Sequence, residues 1–65
     1  MENRNEADNA AVAKKHYKKG NELWAESFRA ALVEFEMALQ LDPDNPDYKV
    51  AVKRAKRNIE DEETE

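Results

Sequence analysis

The chain has one imidazole, His16 in the run KKHYKK, and no cysteine. Without cysteine there is no disulfide framework, thiolate metal site or cysteine nucleophile. His16 stands among lysines, with no acidic neighbour in the run to orient it for general acid–base work, and is expected to face solvent. Glu34 and Glu36 are two residues apart, so on a helix they point in different directions and form no carboxylate dyad. No HExxH spacing and no phosphate-cradling glycine loop is present. The residues favour a non-enzymatic role with no cofactor.

What remains is chemistry of recognition. Basic residues cluster in KKHYKK and KVAVKRAKR, whereas the end of the chain, EDEETE, is almost wholly acidic. The basic runs, with Tyr17 for stacking, would be the surface of a nucleic-acid binder. The net charge of −4 argues against that use, because such affinity comes largely from neutralising phosphates. A charge run is more often a solvated helix face. No stretch approaches the roughly 20 apolar residues of a membrane span. The start MENRNEADNAA lacks the basic region and apolar core of a signal peptide, so the expectation is a cytoplasmic protein with no membrane partner.

These residues must be positioned by helices. With 65 residues, 40 % hydrophobic and 40 % charged, and only one glycine and two prolines, the composition is that of a single all-α domain. A chain of this length buries only about 60 % of its unfolded surface, so stability is expected to be marginal. Ala10, Ala13, Tyr17, Gly20 and Trp24 recur at helical spacing and predict a first helix over about 7–25, after a disordered leader at 1–6. Phe28, Ala31, Leu32, Phe35, Ala38 and Leu39 form a wider apolar stripe, predicting a second helix over 28–41. Pro43 disfavours helical geometry at Asp42 and ends it. Asn45 then caps a third helix, with Pro46 at its first position and Tyr48, Ala51, Val52, Ala55 and Ile59 on one face. The acidic tail 60–65 is expected to be disordered.

One boundary stays open. In LWAESFRAALVEF no glycine or proline marks a turn, although Ser27 is a credible N-cap. A turn at 25–27 gives a helical hairpin; its absence gives one long helix, which would bury its stripe in a helix-swapped dimer.

The run GNELWAESFRAALVEFEMALQLDPDNP resembles a tetratricopeptide repeat, a helix-turn-helix of about 34 residues. Gly20-Asn21 matches the pair in the family's first helix, and Phe28, Ala31, Phe35, Ala38, Leu39 and Leu41-Asp42-Pro43 match the second helix and its terminator. In this reading Gly20 lies opposite Ala31 and Ala38 where the helices cross, with Phe28 and Phe35 beside them and Leu32 in the same packing set. Residues 46–59 resemble the capping helix that ends such arrays. The likeness covers about 10–59. It departs from the family in the turn, which is one residue short, and in having one repeat where about three are normally stacked.

The resemblance implies a concave face that receives an extended peptide or a partner's helix. Its groove positions fall on Lys14, Tyr17, Asn21 and Trp24 of the first helix and on Asp47, Val50, Arg54 and Arg57 of the third, spacings that put each set on one helical face. Aromatic anchors and arginines suit binding. Arg54 and Arg57 would fork onto a carboxylate and Asn21 would bond a peptide backbone, so the expected partner is a protein or an acidic peptide. Asn21 and Arg54 match the family's carboxylate clamp, but Tyr17 and Val50 stand where it has lysines. The competing reading is that Tyr17, Trp24 and Val50 cover a second copy of the chain, making it a homo-oligomer, most simply a dimer. A minimal or engineered repeat that self-assembles without a ligand is the structural alternative.

Overall fold

A computed structural model describes residues 4–64, with side chains from residue 8 onward. Three helices follow one another: α1 (Arg4–Leu23), α2 (Phe28–Leu41) and α3 (Pro46–Glu63). The central helix α2 packs against both of the others. The chain is all-α and turns at Trp24–Ser27, so α1 and α2 form a hairpin and the continuous helix is not formed.

That turn closes without a glycine. The amides of Glu26 and Ser27 both donate to the Leu23 carbonyl oxygen at 2.9 Å, which satisfies the end of α1 locally. Ser27 is extended (φ −162°, ψ 117°), and its hydroxyl accepts from the Ala30 amide at 3.2 Å to start α2. The second turn carries more local chemistry. Asp42 closes α2 by donating its amide to the Ala38 carbonyl at 3.0 Å. Asn45 Oδ1 accepts from the amides of Asp47 at 2.8 Å and Tyr48 at 3.3 Å, and Pro46 follows at the first helical position.

The core is small and made of alanines and rings. Ala13, Ala31, Phe35, Ala38, Tyr48, Ala51, Val52 and Ala55 are its buried apolar residues. Phe35 is the centre: Tyr17 and Trp24 tilt against it with ring centroids 5.7 Å and 6.1 Å away. Gly20 is buried beneath the same ring. A Cβ at Gly20 would lie 2.5 Å from Phe35 Cε1 and 2.6 Å from Cδ1, distances that real side chains do not adopt. The nearest neighbour of Gly20 is thus the Phe35 ring, which the sequence set beside the crossing: the glycine makes room for an aromatic ring. Phe28, Leu32 and Leu39 are half-buried, while Pro43 is exposed in the turn that it helps to terminate.

Three boundaries differ from expectation. Helix α1 already includes residues 4–6, placed in the leader by sequence; residues 1–3 lie outside the described residues. It also ends at Leu23 instead of near 25. Helix α3 continues to Glu63 through most of the expected acidic tail, with Glu65 outside the described residues. At its C-terminal end the helix also makes a tertiary contact. Glu63 accepts a hydrogen bond from Arg29 at 2.5 Å, and the bond and charge of Glu63 hold the Arg29 guanidinium above its ordinary pKa. Helix α2 has no acidic residue in its own first turn. The acidic end of α3 brings negative charge to that end instead, which is favourable to the helix dipole.

Candidate functional site

The concave side is formed where α1 and α3 flank α2. Tyr17 bridges them: its ring is 5.0 Å from that of Tyr48 on α3 and 5.7 Å from Phe35 on α2. Beside this stack is a cleft of about 250 Å³ lined by Tyr17, Asn21 and Trp24 from α1 and the turn, and by Asp47, Val50 and Arg54 from α3. Phe35 and Ala51 form the rest of its lining. Six of the eight groove positions chosen from sequence thus meet in one depression. Lys14 and Arg57 are exposed and outside its lining, so the structure does not bring them together with the rest.

The walls have different characters. Trp24 packs at a tilt on Phe28, with centroids 4.7 Å apart, and is half-buried, which fixes one apolar end. Val50 is 55 % exposed, a large apolar side chain presented to solvent at the opposite wall. Asn21 offers both an amide donor and a carbonyl acceptor. Arg54 and Asp47 put opposite charges on the same helix. The cleft can therefore hold a backbone against Asn21, an apolar side chain between Trp24 and Val50, and a carboxylate at Arg54.

Burial pushes the Tyr48 phenol above its ordinary pKa, with Asp42 adding to the effect. The low-dielectric surroundings of the Tyr48 hydroxyl thus favour its neutral form.

His16 departs from its expected solvent exposure. It is half-buried, and its Nδ1 lies 2.7 Å from Glu34 Oε1, joining α1 to the middle of α2. Spacing along the chain gave no sign of this pair, because its members are on different helices. Among the described residues no group of three His, Cys, Asp or Glu side chains could hold a metal ion. No helix of the described residues is long and apolar enough to cross a membrane.

Phe35 and Ala51 were read from sequence as core alone, yet they also line the cleft. The signal for this is their position: Ala51 lies one residue from Val50 and three from Arg54, and Phe35 faces the helix that carries Tyr17 and Trp24. No protein-family model, curated protein or solved structure matches this chain.

Proposed function

We propose that the chain is a tetratricopeptide-repeat-like module that acts in protein–protein interaction, without catalysis, by receiving an acidic peptide in the cleft between α1 and α3. The observation that carries this reading is the convergence of Tyr17, Asn21, Trp24, Asp47, Val50 and Arg54 on one depression. The close approach of α1 to α2 at Gly20, where the Phe35 ring leaves no space for a Cβ, supports the repeat likeness, since the repeat needs a small residue at that point of its first helix.

In the complex, Arg54 pairs with a peptide carboxylate and Asn21 bonds its backbone. Asp47 repels a second acidic group at the far end and sets the direction of the peptide. The expected ligand has one free carboxylate next to an apolar side chain. Trp24 is the only tryptophan, so its fluorescence reports occupancy directly.

The test is a titration of Trp24 emission with short peptides ending in a free or an amidated carboxylate. The free acid should bind more tightly, and Arg54→Gln should weaken it by about tenfold, the scale of one charge-assisted hydrogen bond. Equal binding by both peptide forms would remove Arg54 from the reading. Affinity that collapses with added salt, for peptide and oligonucleotide alike, would instead favour the basic surface as a nucleic-acid site.

A further inference from the structure

The opposite side of the molecule carries a second surface that the cleft does not use. Between α2 and α3 runs a shallow groove made of two adjoining hollows of about 430 and 490 Å³ that share Lys56. Its floor is apolar: half-buried Leu32 and Ile59 in one hollow, half-buried Leu39 and buried Val52 in the other, with Val33 49 % exposed at the edge.

The charges on its two walls are ordered. Along α2 the sequence of features is Arg29, then Leu32 and Val33, then Glu36, then Leu39. Along α3, which runs the other way, the matching sequence is Glu60, then Ile59, then Lys56, then Val52. One wall reads positive, apolar, negative, apolar; the other reads negative, apolar, positive, apolar. Each wall is the charge complement of the other.

From this order we infer that a second copy of the chain covers the groove, related by a twofold axis that runs along it. Such an axis lays α2 of one copy antiparallel on α3 of the other, each layer upon its own layer. Glu36 then faces the second copy's Lys56 and, by symmetry, Lys56 faces the second copy's Glu36. Leu32 and Val33 face Ile59, and Arg29 faces Glu60. Among the described residues no ion pair joins Glu36 to Lys56 within one copy, so both charges remain available to the other. An axis crossing the groove at its middle would set Glu36 on Glu36 and is disfavoured by like charge.

The surface is modest. Helix α2 is about 21 Å long by its 14 residues, and two helices about 10 Å apart give a footprint of about 400 Å² per copy. That is about half the area each partner gives to a standard interface, so the dimer is a weak and reversible one. It leaves the cleft of Tyr17 and Arg54 open and does not depend on the peptide reading.

The test uses two exposed single variants, Glu36→Lys and Lys56→Glu, in sedimentation equilibrium of the full chain from about 10 μM to 1 mM. The wild type should dimerise. Each variant alone sets like charges together twice in the dimer and should weaken association by at least about tenfold. An equimolar mixture of the two should recover it, because one chain then carries positive charge at both positions and the other negative charge at both. Pairing within one copy cannot produce that recovery. A wild type that stays monomeric overturns the inference and leaves the groove to another protein. A dimer that ignores both variants, or that is lost in Trp24→Ala instead, places the interface elsewhere and overturns it as well.

Discussion

The two seams of α2 are built on opposite principles. Toward α1 the fit is volumetric: the one glycine of the chain lies under Phe35, which is 2 % exposed. The turn beside it has one side-chain cap and no glycine or proline. Toward α3 the contact is of alanines, Val52 and Tyr48, and the connection is set by dense local chemistry at Asp42, Asn45 and Pro46. One seam depends on two distant residues having the right sizes. The other depends on adjacent residues having the right polar groups.

The two seams should therefore fail to different insults. The largest effect is expected from Gly20→Leu, which would force a branched side chain into the Phe35 ring. Overpacking costs typically about 1–3 kcal/mol and more where the neighbour is trapped, enough to unfold a domain this small. Thermal melts by circular dichroism should show lost cooperativity. A double-mutant cycle sharpens the point: Gly20→Ala should be destabilising with Phe35 present and stabilising by up to about 1 kcal/mol in a Phe35→Ala background, where helix propensity alone decides. Additive effects would mean that the ring does not contact Gly20.

A smaller effect separates the turns. Asn45→Ala removes two accepted amide bonds and Ser27→Ala removes one, so urea midpoints should fall for both and further for Asn45→Ala, within the range of about 0.5–2 kcal/mol known for caps. The reverse order would locate the weaker joint at the wrong turn.

The smallest effect belongs to Tyr48 and shows only in alkali. Its pKa is raised in the fold, so the folded chain holds the phenolic proton more tightly than the unfolded chain. That stability is fully present below the unfolded value of about 10 and is lost as pH rises through the folded value. The melting temperature of the wild type should therefore fall relative to Tyr48→Phe only above about pH 10. A constant difference at all pH values would mean that burial does not hold the phenol neutral.

Sequence reading succeeded where information is local. The Asp42–Pro46 terminator and cap, the extent of α2 and the inner face of α3 follow from neighbouring residues or from one helix's period. The grouping of Tyr17, Asn21, Trp24, Asp47, Val50 and Arg54 came from the repeat resemblance instead, and the packing of α1 and α3 on α2 sets these residues around one cleft. Sequence reading failed where the partner lies far along the chain. His16 looks exposed until Glu34 arrives from α2, and α3 looks frayed after residue 59 until Glu63 meets Arg29. The turn at Trp24–Ser27 was ambiguous for a physical reason: every residue in it tolerates helix, and the packing of Phe35 on Gly20, Tyr17 and Trp24 that accompanies folding back joins residues distant in the chain.

Among the described residues none has a positive φ, glycine included. The turns are thus made from backbone states open to every ordinary amino acid, and the sole glycine is required for its missing side chain. Tolerance to mutation should therefore be distributed unevenly. A library randomised at the exposed turn positions Ala25, Glu26 and Asp44 should retain many folded members of varied sequence, whereas one randomised at position 20 should return glycine almost alone. For this chain the narrowest passage in sequence space lies in the last turn of α1, at a buried residue that does not bend the backbone.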